Sequence, residues 1–317
     1  MDVFPDRTVI GGAPFNVARH LRGFGMHPLL ISRTGNEMLR EQILKTMLRM
    51  DMDVSGMQTD PLHPTGQVSV YLTEGQAQFQ ILDNQAYDFI DPIITKTVGS
   101  KTQPLMLYFG TLAQRHEISR RALTALLKTS DAPKLLDLNL RKPWYETQTL
   151  RRSFERAHIA KMSEEELAAV TKSLRLQGRD ERARLAELIT RFDLEYALVT
   201  CGPKGAWLMD KAGKVTEEPA LPLQGKIADT VGAGDAFAAV FMLGQLLGWS
   251  ASTTLARANS FSAAICQIRG AIPESQNFYT PFLQEWELSE ESFAKAGSNW
   301  LNLKPKDKGG KGKEVSP

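Results

Sequence analysis

The chain of 317 residues is short of several things, and each shortage excludes a class of function. It has two cysteines, Cys201 and Cys266, too few for a disulfide framework. Its five histidines (20, 27, 63, 116 and 158) are scattered, and His116-Glu117 has no second histidine four residues on, so no metal-ligand spacing is present. No apolar run approaches the roughly 18 residues that a membrane helix needs. The start has no basic segment leading into an apolar one, as a secretory leader would. Net charge is only +2, which gives no case for nucleic acid. Much of it comes from residues 304–317, where five lysines face Asp307 and Glu314. That Gly- and Lys-rich stretch is expected to be a disordered basic tail behind a single folded body at 1–303. These features together point to a cytoplasmic protein.

A hydrophobic content of 42% suffices for a sizeable core. Short Leu- or β-branched runs at Leu29 to Ser32, Leu105 to Phe109, Lys134 to Leu138, His158 to Met162 and Tyr196 to Thr200 read as buried strands. Amphipathic helices are expected at Ala13 to Phe24, Glu37 to Met50, Ser119 to Lys128, Glu164 to Leu174 and Glu181 to Phe192. The alternation predicts a doubly wound α/β domain, mainly parallel, with helices on both faces. One stretch differs. Gly66 to Leu72 and Ala77 to Leu82 alternate with strand period and are joined by Thr-Glu-Gly, a hairpin signal. With Val9-Ile10 it predicts a small β-sheet lid over about 4–12 and 66–90. The helix over Ser252 to Ile268 is expected to end at Gly270 as a C-cap.

The chemically most telling run is Asp229-Thr230-Val231-Gly232-Ala233-Gly234-Asp235, followed by the apolar stretch Ala236 to Leu247. Glycines at the start of a buried helix expose backbone amides where the helix dipole favours an anion. A carboxylate beside such an anion hole suits phosphoryl transfer: Gly232, Ala233 and Gly234 hold charge, and Asp235 takes a proton from an attacking hydroxyl. The competing reading makes Asp235 a simple helix cap.

This run resembles the C-terminal signature of the PfkB, or ribokinase-like, sugar-kinase family. Gly11-Gly12-Ala13-Pro14-Phe15-Asn16-Val17-Ala18, with Gly25 and Gly35, resembles its N-terminal signature. Asp137-Leu138-Asn139-Leu140-Arg141 and Thr200-Cys201-Gly202-Pro203-Lys204-Gly205 match further family segments. The Gly-Gly-Ala-Pro-Phe-Asn form is most similar to fructokinases. The resemblance implies an ATP-dependent kinase for a primary hydroxyl of a small sugar, with fructose first. Other acceptors it leaves open are ribose, 2-keto-3-deoxygluconate and nucleosides. A catalytically weakened sugar- or nucleotide-binding protein is the alternative of another class. Asp235 becomes the general base, and Asp2, Gly11, Gly12, Asn16 and Arg141 contact the sugar. Arg141 reads equally well as a surface ion pair. Thr200, Gly202, Gly205 and Asn259 contact ATP, though Asn259 could equally be a helix surface residue. Glu166 orients Mg2+ through water, and Asp229 lies at a K+ site. A homodimer through the lid is also implied.

Two departures from the family pattern carry expectations. Ser163-Glu164-Glu165-Glu166 stands where the family has Asn-Xaa-Xaa-Glu, and the same residues form a capping box. Met1 to Phe4 reads as the end of a first strand of the central sheet, most of which would precede residue 1, as with a misassigned start codon.

Overall fold

Residues 1–3, 8–73, 76–220 and 226–294 are described by a computed structural model; side chains within 2–8 and 69–79 lie outside that description. The chain runs β1 (Asp2–Val3), β2 (Thr8–Val9), α1 (Ala13–Gly23), β3 (Ser32–Thr34), α2 (Met38–Arg49), β4 (Met57–Thr59), β5 (Val68–Thr73) and β6 (Gln76–Ile81). It continues through α3 (Pro92–Lys101), β7 (Leu107–Phe109), α4 (Glu117–Leu127), β8 (Lys134–Asp137), α5 (Thr147–Arg156), β9 (Ile159–Ser163), α6 (Glu164–Leu174) and α7 (Glu181–Phe192). The last part holds β10 (Tyr196–Thr200), β11 (Ala206–Asp210), β12 (Val215–Glu218), α8 (Ala233–Leu247) and α9 (Ala251–Ile265). Among the described residues no helix is long and apolar enough to cross a membrane.

Three sheets result. The largest has the order β12-β11-β10-β9-β8-β7. Its strands β7 to β10 are parallel, while β11 and β12 add an antiparallel edge. Because successive strand residues face opposite ways, the strands feed two cores. On one face Leu136, Ala160 and Val199 pack with Leu150 and Phe154 of α5 and with α6 and α7. On the other, Leu135, Ile159 and Leu198 pack with Val17 and Leu21 of α1 and with α8 and α9. Helix α8 is apolar on all sides, which is why ten of its residues are buried.

The lid sheet has the order β2-β1-β5-β6, and β5 and β6 form the expected hairpin. Here one expectation fails. Asp2 and Val3 pair with β2 and β5 in the lid, not with a strand of the largest sheet. Strands β3 and β4 pair with each other in a separate sheet. The reading of Met1 to Phe4 used apolar content alone, which cannot tell one sheet from another. The tail at 304–317 lies outside the described residues.

A second correction concerns α9. It ends at Ile265 with Cys266 as C-cap, and Gly270 lies beyond it. Gly270 still has a left-handed φ of 88°, and its N–H donates to Asp229 Oδ2 at 3.1 Å. The glycine serves a turn that reaches the Asp229 loop instead of the helix end.

Candidate active site

The carboxyl ends of parallel strands in such a sheet face the crevice where ligands bind. Strands β7, β8 and β9 deliver Tyr108, Asp137 and Lys161 there, and α8 brings its N-terminus to the same place.

Gly232 is the N-cap of α8, with φ 82°. A Cβ there would lie 2.4 Å from the Ala271 Cβ, so both conformation and space demand glycine. Asp235 follows in the first helical turn. The first amides of a helix have no acceptor inside it, so Gly234 and Asp235 present theirs outward. Ala233 departs from expectation: its N–H already donates to Thr230 O at 3.3 Å. Gly234 is exposed, and the space where its Cβ would stand is bordered by Lys161 Nζ at 3.7 Å.

Asp235 is not merely a cap. Its Oδ2 accepts from Asn16 Nδ2 at 2.7 Å, across 219 residues of chain. Asn16 is buried on α1, which begins right after Gly12 (φ 106°), so the di-glycine sets the point at which Asn16 enters the site. Asn16 Oδ1 is enclosed and has no hydrogen-bond partner among the described residues, which leaves an acceptor ready for a hydroxyl donor. The Asp235 carboxyl is pushed up to about 6, first by burial; Asn16 opposes this, Asp137 adds to it, and Lys161 and Arg141 oppose it. Arg141 is exposed. Its charge is felt at Asp235 as the last of the effects that lower the carboxyl.

Two residues at this site were not picked out from the sequence. Lys161, 5% exposed, donates to Asp137 Oδ1 at 2.9 Å. Tyr108 donates to Asp137 Oδ2 at 3.0 Å. Burial and then the charges of Asp137 and Asp235 hold the Tyr108 hydroxyl far above its ordinary range, so it stays a neutral donor. Burial works against the Lys161 ammonium, but Asp137, then Glu166 and Asp235, keep it charged. The available signal was a lysine inside a strand otherwise read as fully buried, a place where lysine occurs only when paired.

Other expected residues fall as follows. Ser163 and Glu166 form the capping box: Ser163 Oγ accepts from the Glu166 N–H at 3.2 Å, and Glu166 Oε2 accepts from the Ser163 N–H at 2.8 Å. Glu166 Oε1 also accepts from the Leu140 N–H at 2.6 Å, which holds the loop leading to Arg141. Ser163→Ala is therefore expected to lower unfolding stability by about 1 kcal/mol in a denaturant titration, with kcat little changed. Asp229 uses both carboxylate oxygens on the Val231 and Gly270 amides, so its first duty is to shape the loop before α8. Asn259 is buried, not on a helix surface, and donates to the carbonyls of Glu218 and Pro219. Thr200 ends β10, and Gly202 and Gly205 lie in the turn that leads to β11. A Cβ on Gly205 would lie 2.2 Å from Glu218 O, so strand packing alone explains that glycine. The backbone of Asp2 lies in β1 and its side chain is outside the described residues. Among the described residues no group of three or more His, Cys, Asp or Glu could hold a metal.

Comparison with known proteins fits this geometry. The model of the pfkB family of carbohydrate kinases matches residues 6–277. The chain belongs to the PfkB carbohydrate kinase family. As a PfkB kinase it is 29% identical over 271 residues to a sugar kinase of Pyrococcus horikoshii, covering 82% of each chain. It is 31% identical over 244 residues to a fructokinase of Klebsiella pneumoniae, covering 74% of this chain and 76% of that one. The solved structure of a fructokinase with bound ATP from Xylella fastidiosa superposes with a TM-score of 0.72 at 20% identity, covering 87% and 91% of the two chains. The PfkB fold thus joins the lid sheet and the α8 N-terminus in one ribokinase-like α/β enzyme.

Proposed function

We propose that this PfkB kinase transfers the terminal phosphoryl group of ATP to a primary hydroxyl of a small sugar, with fructose as the favoured acceptor. The observation that carries the reading is the Asn16–Asp235 contact of 2.7 Å at the outward amides of α8. It supports the reading because a carboxylate and an unmet acceptor meet beside the outward amides of the helix. Asp235 accepts the hydroxyl proton as the sugar oxygen attacks. The amides of Gly234 and Asp235, with the helix dipole, stabilise charge on the phosphoryl group. Asn16 Oδ1 accepts from a neighbouring sugar hydroxyl, Arg141 offers a cation at the rim, and Gly11 and Gly12 border the acceptor side just before α1. Thr200, Gly202 and Gly205 border the nucleotide. The Lys161 ammonium stands beside Gly234 as a fixed positive charge.

Mg2+ fits this site as an ion carried in on the ATP phosphates, because such ions keep most of their water and need few protein oxygens. Glu166 is its carboxylate candidate, acting through water, since each of its oxygens already accepts one backbone amide. When bound, the ion neutralises phosphate charge. For K+, the Asp229 loop stays a proposal on the same terms.

The acceptor rests on likeness to fructokinases and on charge. A phosphorylated sugar would call for several free cations, yet Arg33 is paired to Asp60 at 3.2 Å, which leaves Arg141 and Lys142. The test is ADP release over a panel of sugars and nucleosides. Fructose is expected to show the highest kcat/KM. A nucleoside or 2-keto-3-deoxygluconate at the top would reassign the acceptor, and binding without ADP release would favour a catalytically weakened protein. A dimer through the lid is checked by solution mass.

The pH profile follows from the Asp235 carboxyl at about 6. Only the ionised form accepts a proton, so kcat/KM should rise with pH up to a plateau, with its acid limb near 6. A limb near the ordinary aspartate value, about 4, would remove Asp235 from the role of base.

A further inference from the structure

On the face of the sheet opposite α8, helices α3, α4 and α5 line an open groove of about 660 Å3. Its walls carry Lys96, Arg120, Arg121, Lys128, Arg152 and Arg156 against one acid, Glu117. Glu117 is already spent on Arg121, its ion-pair partner one turn along α4. The other five cations have no carboxylate within ion-pair distance among the described residues. Arg120 is fixed by a bond to Gln114 O at 3.1 Å.

The cations also crowd one another. The Arg156 guanidinium is held below its ordinary value by burial first and then by Arg152; Glu155 opposes this and Arg120 adds to it. Its Nη1 is enclosed and has no hydrogen-bond partner among the described residues. A folded protein pays for like charges and an unmet donor at one place. An anion with several oxygens offsets the like charges that line the cleft. Arginine forks match phosphate oxygens in geometry as well as charge.

We propose that this cleft is a second anion site, which takes a small molecule carrying two phosphate groups. Its volume is that of a small-molecule site. Six cations and one acid give the cleft +5, so against a total of +2 the rest of the chain carries −3 and offers an extended polyanion no net attraction. The cleft is built on α4 and α5 and the core they share, whereas α8 belongs to the other core. It is therefore not the seat of the transferred phosphoryl group, and the proposal stands whether or not the acceptor is fructose.

The test is calorimetric titration of the full chain with inorganic pyrophosphate at constant ionic strength, with saturating ADP to occupy the nucleotide site. Saturable binding with Kd below about 1 mM is expected, tighter than for inorganic phosphate titrated alike. Lys96→Gln with Lys128→Gln alters exposed side chains only, so that variant should fold. Arg156→Gln removes the enclosed donor. A folded variant of at least one kind should bind at least about tenfold more weakly, the equivalent of one charge-assisted contact. Asp235→Asn should bind as the wild type does. No saturable heat in the presence of ADP, unchanged affinity in both cleft variants, or binding of a single-stranded oligonucleotide in place of pyrophosphate would overturn the proposal.

Discussion

Asp235→Asn is expected to lower kcat by about a hundred- to ten-thousandfold, the range ascribed to a positioned general base. Sugar binding should survive, because asparagine keeps an oxygen for Asn16 and leaves the α8 amides in place. Isotopic or thermal-shift binding of the acceptor, run beside the coupled ADP assay, separates these effects. The same substitution has an opposite consequence for stability. The folded carboxyl, at about 6, lies above its unfolded value of 3.8, so ionisation opposes folding. Both states are protonated at low pH, and there is no penalty. It grows as pH rises through the unfolded and then the folded value, and is complete above about 6. The variant should thus be more stable than the wild type at pH 8 by roughly 1 to 3 kcal/mol, and equal to it near pH 3. Near-normal turnover would remove Asp235 as base, and a variant less stable at pH 8 would mean that its charge holds the loop together.

Lys161 carries the second large effect. Lys161→Met leaves Asp137 charged and buried without its counter-ion, and should cost about 3 to 5 kcal/mol of stability. That loss alone would say nothing of catalysis. Lys161→Met combined with Asp137→Asn removes both charges, and Tyr108 still finds an oxygen to donate to. Stability should then return to near the wild type. Turnover should not, since the space beside Gly234 has lost its fixed cation. We expect kcat to stay at least about tenfold low, in keeping with removal of one preorganised charge from a phosphoryl site. Full turnover in a stable double variant would assign Lys161 to architecture only.

How much of this was legible beforehand depends on distance along the chain. Helices α6 and α7 were read to the residue, because Ser163 and Asp180 cap them from immediately before and the apolar period does the rest. The end of α9 was misjudged by placing weight on Gly270, a glycine whose positive φ serves a different turn. Asn259 could not be placed from its own helix, since its partners lie on the strand end at Glu218 and Pro219. Glu166 was read as a metal-water residue, yet its carboxylate is largely occupied by the amides of Ser163 and Leu140, the second of them 26 residues away.

The sequence by itself determined the alternating elements, the lid hairpin, the capping box and a glycine-rich start to a buried helix ending in Asp235. Each depends on neighbours within a few residues: a cap reaches its own first turn, and a positive φ is a demand made at one position. Tertiary structure alone decided that Asn16 meets Asp235, that Tyr108 and Lys161 share Asp137, and that Met1 to Val3 join the lid and not the largest sheet. Those pairings follow from which strand lies beside which and from the burial that makes an unpaired charge costly, and neither is written in local pattern.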